Sequence, residues 1–316
     1  MMAIVYVLSL PTMVYGANSN STGENVTTNV TIINSAPVIT EVLLNDADES
    51  APMDLSPNTS VVINCSGRAF DKDGKADLTG SGASINATLF DSTSTPDAVA
   101  NFSTHYKNGS CTIFTTSDPT NVTFECIFIV FFNANPDTWT CNVTEVDTNA
   151  AVGVGLTDTE TMGVLMAIDI SDSIDFGDLK VGADTGTGDT TSIVYNEGNT
   201  IFDINLLSFA NASNRTKIDG EGPNNTMRCA TNKINDTHLR YSLSTGQSWS
   251  SQKKQVNVTG LDDTAFSLSE NNTAEDQSVN PLPSYKNVYW GFGIQANPIP
   301  AGECSGFAQF TAIGDT

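Results

Sequence analysis

Apolar and polar residues alternate one by one in several segments of this chain, and this pattern constrains its fold more than any other feature. In VVINCSG (61–67), Ile63 and Cys65 point to one side of an extended backbone and Asn64 points to the other. The same alternation runs through SINATLF, TWTCNVTEV and QVNVTG. No stretch keeps apolar residues at the 3.6-residue spacing of an amphipathic helix. The pattern predicts an all-β protein with few helices.

The length and the spacing of these segments predict two domains. The chain has 316 residues, enough for two hydrophobic cores. We expect four parts, which are a signal peptide at 1–16, an extended N-terminal arm at 17–35, a β-sandwich at 36–160 and a second β-sandwich at 161–316. Strand-like pieces such as MAIDI, IDFGDLKVG, TSIVYNEG and TIFDINLLSF define the second one. The chain between the sandwiches lacks a Pro-rich or charge-rich linker, which predicts little freedom at the joint.

Export is expected from the first residues. MMAIVYVLSLPTMVYG is short and apolar, and small Val14 and Gly16 suit cleavage after Gly16. We therefore predict an extracellular or cell-surface protein whose mature chain has no membrane span. The formal charge of −23, from 36 acids against 13 Lys plus Arg, argues against nucleic acid and anionic membranes as partners.

Asparagine sequons support the same location. The chain carries 16 Asn-x-Ser/Thr sequons, and several fall on the polar face of an alternating strand, where a glycan would reach solvent. Polar strand faces also collect Asn and Thr without any glycan. We expect N-linked glycans at seven positions: Asn25, Asn29, Asn64, Asn86, Asn121, Asn142 and Asn257.

The cysteines are an even set in a chain that we expect to be exported, so disulfides are predicted. They are Cys65, Cys111, Cys126, Cys141, Cys229 and Cys304. Spacing alone leaves 15 connectivities. No CxxC pair is present and only His105 and His238 offer imidazole ligands, which argues against zinc.

Three runs resemble parts of known surface proteins. AFDKDGKADL with TWTCNVTEVDTN resembles the immunoglobulin-like repeats of archaeal and bacterial surface proteins. IDFGDLKVG with YNEGNTIFDINL, and the ending VYWGFGIQANPIPAGECSGFAQFTA, are similar to the opening and closing segments of secreted sandwich domains. As a whole the chain resembles two-domain archaeal cell-surface proteins that are surface-layer-like or filament-forming. The resemblance implies an all-β fold of two immunoglobulin-like β-sandwich domains in tandem with an extended N-terminal arm.

The immunoglobulin-like pattern also implies a disulfide scheme. Such a sandwich joins its two sheets by one bridge, and Cys65 and Cys141 both fall on the apolar face of their strands. We infer Cys65–Cys141, with Cys111–Cys126 closing the hairpin between them and Cys229–Cys304 left for the second domain. Trp139, however, lies two residues before the second cysteine and not on the third strand.

An acidic loop directly after a predicted strand suggests a cation. In Asp71-Lys72-Asp73-Gly74-Lys75-Ala76-Asp77, alternating carboxylates flank a Gly turn, and calcium prefers such oxygen ligands. An ordinary Asp-Gly turn needs no ion. We expect no required cofactor, with calcium at Asp71, Asp73 and Asp77 as an open alternative.

The segment NVTFECIFIVFF is apolar on both faces, which predicts that both are covered. A loop of the same domain is one candidate. The other is another subunit, for instance through a donated strand such as 25–33, where Val26, Val30 and Ile32 share one face and Asn25 and Asn29 the other.

These features favour a non-enzymatic structural subunit of an extracellular filament or surface coat, which would self-associate into a homopolymer or bind other cell-surface proteins. The alternative is a monomeric adhesin or carbohydrate-binding module, for which Trp249, Tyr285, Tyr289 and Trp290 offer aromatic platforms, although core packing is a common fate of such residues. A secreted glycosidase is third. We expect no catalytic residues, because nucleophile, phosphate-binding and metalloprotease motifs are missing.

Overall fold

The computed structural model describes the following residues: 27–46, 52–170, 173–210, 225–230, 233–251, 253–256, 261–268, 281–294 and 301–314. The chain divides into two compact units, Met1–Ile33 and Asn34–Thr316. In the first unit, the described residues 27–33 form neither helix nor strand. The second unit is nearly all β, as expected. Its helical turns among the described residues are α1 (Lys75–Thr79) and the 3-10 turn Asp236–His238.

The first sandwich contains eight strands in two antiparallel sheets. Its strands are β1 (Val38–Asp46), β2 (Ser60–Phe70), β3 (Ser84–Asp91), β4 (His105–Asn108), β5 (Thr112–Thr115), β6 (Asn121–Phe131), β7 (Thr138–Val146) and β8 (Val152–Thr161). One sheet has the order β1-β2-β6-β5 and the other β4-β3-β7-β8. Labelled A, B, C, C′, D, E, F and G along the chain, these are the A-B-E-D and C′-C-F-G sheets of an immunoglobulin-like domain.

A disulfide crosses the core of this sandwich. Cys65 on β2 and Cys141 on β7 are bonded and fully buried, in the positions of the B–F bridge of an immunoglobulin domain. Trp139 fills the place of the corner tyrosine of that fold, two residues before the second cysteine. Its indole Nε1–H donates to the carbonyl of Asn135 at 2.8 Å. The unusual position of the tryptophan thus has a structural role, because it fastens the start of β7 to the preceding turn.

The second sandwich is built from two five-stranded sheets. Its strands are β9 (Ile168–Ile170), β10 (Thr190–Asn196), β11 (Phe202–Phe209), β12 (Asn225–Cys229), β13 (Lys233–Asn235), β14 (Leu239–Ser242), β15 (Lys254–Gln255), β16 (Leu261–Leu268), β17 (Ser284–Phe292) and β18 (Cys304–Gly314). The sheet orders are β15-β14-β17-β10-β9 and β13-β12-β18-β11-β16. Cys229 and Cys304 are bonded neighbours on β12 and β18. IDFGDLKVG (174–182) forms no strand, contrary to expectation.

A buried ion pair fastens one sheet of this sandwich. The ammonium of Lys253, whose side chain is fully buried, lies 2.8 Å from a carboxylate oxygen of Asp189 and donates to the carbonyl of Trp290 at 2.7 Å. Burial alone would raise the pKa of Asp189. Hydrogen bonds from Lys253, Gly246 and Thr245 outweigh it and hold this pKa below its ordinary value.

The joint between the sandwiches is hydrogen-bonded. The amide of Asn199, which is 2% exposed, donates to the carbonyls of Ala134 and Gly163, both at 2.9 Å, and its oxygen accepts from the Leu165 N–H at 2.7 Å. At Gly198 the backbones approach so closely that an added Cβ would lie 2.1 Å from the Leu165 oxygen. One buried amide therefore joins residues of both sandwiches.

Candidate functional sites

Two inward-facing rows of side chains end in acids at the same end of the first sandwich. On β2 the inward row runs from Cys65 through Ala69 to Asp71, and on β7 it runs from Cys141 through Val143 and Glu145 to Asp147. Because residues two apart share a face, Asp71 and Asp147 each lie six positions beyond a bridged cysteine. The disulfide therefore brings the two carboxylates to one place.

The acidic cluster consists of Asp71, Asp77 and Asp147. One carboxylate oxygen from each lies within 4.8 Å of the others, so the three can ligate one ion. Asp71 and Asp147 are buried, and Asp77, on α1, is partly buried. Loop residues hold the cluster, because the Asn149 amide donates to both oxygens of Asp77 at 3.1 and 3.2 Å and the Asn34 amide donates to Asp147 at 2.7 Å.

The carboxylate of Glu145 lies behind this cluster and is fully buried. Neither of its oxygens has a hydrogen-bond partner, and the same is true of one oxygen of Asp71. Burial, together with the charges of Asp71 and Asp147, raises the pKa of Glu145 to about 8. Burial is also the main cause that raises the pKa of Asp71.

Hydrogen bonds act in the opposite sense at Asp147. Burial would raise its pKa, but the Asn34 amide and the backbone N–H groups of Ala151 and Asn149 together lower it. Asp147 is thus held as a carboxylate, directly beside acids that burial drives toward the protonated form.

The structure brings two of the three sequence-predicted calcium ligands together and leaves one outside. Asp73 is exposed, and its carboxylate accepts from the Ser35 N–H at 2.6 Å. Asp147 takes its place in the cluster, and sequence reasoning missed it. Its signal was nevertheless present, since Asp147 follows Cys141 by the same interval as Asp71 follows Cys65.

The outer face of the β1-β2-β6-β5 sheet is apolar and exposed. Leu43 is 47% exposed, Val62 41%, Ile127 46% and Ile129 48%. We call the adjoining three, Val62, Ile127 and Ile129, the outer patch, since Val62 pairs with Ile129 and the register places Ile127 one step along. Of the two candidate covers, a loop of the same domain covers Phe131 but leaves Ile127 and Ile129 about half exposed.

The outer patch borders a groove along half of β6. Strand β5 pairs with β6 from Val122 to Glu125 only. Beyond that point, the Asn108 amide donates to the Ile127 carbonyl at 2.9 Å and the Tyr106 hydroxyl accepts from the Phe131 N–H at 3.1 Å. Backbone groups alternate sides along an antiparallel strand, so those of Ile129 point to this same edge. The groove has a volume of about 470 Å³ and is lined by Tyr106–Ser110 and Ile127–Ile129.

The predicted donor strand, residues 25–33, provides the second exposed apolar feature in its described part, 27–33. Of its sequence-predicted residues, Val30 is 86% and Ile32 84% exposed, and Ile33 is 80% exposed. Val26 lies outside the described residues. The residues 27–33 form no strand within their own chain. Three large apolar side chains within four residues are thus left in water.

The seven expected glycosylation sites differ in how exposed their side chains are. Asn29 is exposed, and Asn64, Asn86, Asn121 and Asn142 are partly buried, while Asn25 and Asn257 lie outside the described residues.

The third bridge, Cys111–Cys126, joins β6 to the chain just before β5, so the bonded pairs are those inferred above.

Of the four aromatic residues considered as platforms, Trp249 and Trp290 are in the core, Tyr289 is partly buried and Tyr285 is 61% exposed. In the part of the chain that the structure describes, no helix has the length and apolarity needed to cross a bilayer.

Comparisons with known proteins show distant likenesses. No family model and no curated protein matches the sequence. The fold is similar to the CsuC–CsuE chaperone–tip adhesion subunit pre-assembly complex from archaic chaperone-usher Csu pili of Acinetobacter baumannii, at 10% identity and a TM-score of 0.32, over 82% of this chain and 96% of that chain. It is also similar to the C-terminal domain of the Streptococcus agalactiae AgI/II polypeptide BspA, at 10% identity and a TM-score of 0.22, over 88% and 96%. At these values no residue role is transferred.

Proposed function

We propose that this chain is a non-enzymatic structural subunit of an extracellular filament or coat, in which residues 25–33 of one copy add as a strand to the first sandwich of the next. The observation that carries the proposal is the part of β6 beyond Glu125, which has no paired strand on the β5 side among the described residues. Apolar Ile127 and Ile129 lie there and are about half exposed. Edge strands that leave backbone groups and apolar side chains in water are templates for another strand. Three disulfides suit the oxidising exterior that such an assembly requires.

The donated segment fits the groove in chemistry and length. Its Val26, Val30 and Ile32 share one face, which would cover the outer patch, while Asn25 and Asn29 point away. Nine extended residues span about 30 Å, more than the half of β6 beyond Cys126 requires. In such an addition, backbone hydrogen bonds supply affinity and alternate side chains supply register.

The first test compares the whole chain with a variant lacking residues 25–33, by size-exclusion chromatography with light scattering and by negative-stain electron microscopy. Wild type should form polymers, and the deletion variant should remain monomeric. A synthetic peptide of residues 25–33 should bind that variant and slow amide exchange at Ile127–Ile129. Polymers of the deletion variant that look like those of wild type would refute strand donation.

Matched point variants test whether assembly depends on the groove itself or on exposed apolar surface in general. Ile129→Asn should abolish assembly, whereas Leu43→Asn, equally exposed on the same sheet but away from the groove, should not. On the donor side, Ile32→Asp should abolish assembly, whereas Val99→Asp, at an 83% exposed loop position, should not. Equal loss in both members of a pair would contradict the proposed docking. A wild-type chain that is monodisperse and binds glycans would favour the adhesin alternative.

The Asn64 sequon offers an independent check. Asn64 pairs directly with Ile127 across β2 and β6, so a glycan there would cover the outer patch. If the groove accepts a strand, Asn64 should be unglycosylated in assembled material, as measured by mass spectrometry of its peptide. Full occupancy of Asn64 in polymers would count against docking at this face.

A further inference from the structure

We propose that Asp71, Asp77 and Asp147 bind one divalent cation, and that Ca²⁺ is the ion they suit. The three carboxylates can meet a single ion, and the elements that carry them are fixed by the Cys65–Cys141 bridge at the end of the sandwich core. This site goes beyond the assembly function and does not depend on strand donation.

The independent observation is Glu145. It is a fully buried carboxylate beside Asp71 and Asp147, and neither of its oxygens has a hydrogen-bond partner. A buried acid with no hydrogen-bond partner is costly, and a cation bound beside it would lower that cost. Among the described residues, no Lys or Arg forms an ion pair with Asp71, Glu145 or Asp147. The nearby Lys75 ammonium instead donates to the Thr116 carbonyl at 2.8 Å.

The donor set selects the class of ion. The three side chains of the cluster offer carboxylate oxygens alone as ligands, and no thiol or imidazole belongs to it. Soft metals such as zinc and copper prefer sulfur and nitrogen. Calcium takes about six to eight oxygens in a flexible arrangement, whereas magnesium demands a small regular octahedron and keeps its waters. Loop-borne carboxylates of differing burial suit the larger ion.

The test is isothermal titration of the whole chain with CaCl₂ after chelation, in 0.15 M NaCl so that the net charge of the chain is screened. Wild type should bind one Ca²⁺ more tightly than Mg²⁺ and melt at a higher temperature in Ca²⁺ than in chelator. Asp147→Asn should weaken Ca²⁺ binding at least about tenfold, because one charged ligand is lost. Asp73→Asn, in the same loop but outside the cluster, should bind within about twofold of wild type.

Two outcomes would overturn the site. One is the absence of a saturable Ca²⁺ event in wild type, and the other is equal binding by Asp147→Asn and Asp73→Asn. If Asp147→Asn fails to fold, Asp77→Asn gives the same test at a partly buried position, with the same expected loss. Polymerisation assays do not enter this test, so its failure is distinct from failure of strand donation.

Discussion

Removal of the disulfides of the first sandwich, one pair at a time, tests whether loop length sets their contribution to stability. Cys65 and Cys141 are 76 residues apart, whereas Cys111 and Cys126 are 15 apart. A cross-link stabilises mainly by restricting the unfolded chain, and the restriction grows with the logarithm of the loop. The longer loop gives about 4.5 kcal/mol and the shorter about 3 kcal/mol.

Burial is nearly matched between the two bridges, which makes the comparison clean. Cys65, Cys141 and Cys126 are fully buried, and Cys111 is 8% exposed. Replacing each pair by Ala therefore leaves holes of similar size, and the cavity costs nearly cancel. Cys65→Ala/Cys141→Ala should lose about 1.5 kcal/mol more than Cys111→Ala/Cys126→Ala.

Guanidinium unfolding followed by tryptophan fluorescence measures this difference. Trp139 reports the first sandwich, and the signal of Trp249 and Trp290 is removed by Phe substitutions in the background of every variant. In the Asn199→Ala background, where the two sandwiches should unfold separately, Cys229→Ala/Cys304→Ala, with a 75-residue loop, should leave the Trp139 transition at its original midpoint. An equal loss from the two first-sandwich pairs, or a larger loss from the shorter loop, would refute the loop-length reasoning.

Three further expectations concern the packing. Trp139→Phe should cost about 2–4 kcal/mol in denaturant unfolding, because it leaves a cavity and removes the indole hydrogen bond to the Asn135 carbonyl; a loss below about 1 kcal/mol would contradict the corner role. Asp189→Asn should cost about 3 kcal/mol at pH 7, since it leaves the Lys253 ammonium buried without its counter-charge. The folded-state pKa of Asp189 is below its ordinary value, so its stabilisation is present above about pH 4 and is lost as pH falls through the folded pKa. The wild-type stability should therefore fall faster on acidification than that of the variant. Asn199→Ala should split a single calorimetric transition into two, one for each sandwich, and an unchanged single transition would show that the joint does not depend on this amide.

Much of the fold follows from the phase of side chains along strands. Cys65 and Cys141 can be assigned to the core because each alternates with a polar neighbour, and the structure bonds them. The same alternation, continued past the ends of these two strands, also places Asp71 and Asp147 on the inward side. IDFGDLKVG looks like a strand by composition, yet no neighbouring strand in the described part of the chain pairs with it. Whether a strand forms depends on such a partner, which sequence periodicity does not contain.

The outer patch shows a second limit of the sequence. Apolar residues on both faces of β6 predict burial, and sequence alone does not say whether the cover comes from the same chain. Phe131 is covered by its own domain, whereas Ile127 and Ile129 are not. A residue buried by its own domain and a residue buried by a partner subunit produce the same apolar pattern in the sequence. Only the structure distinguishes the two at each residue.

The amide of Asn199 has a mechanical consequence. When a protein of tandem domains is pulled at its ends, the linkers between the domains extend first if few bonds hold them. Here three hydrogen bonds from one buried side chain tie the turn before β7, the end of β8 and the entry to the second sandwich. A pulling force on one sandwich should therefore be transmitted to the other through these hydrogen bonds, with no flexible linker to extend first.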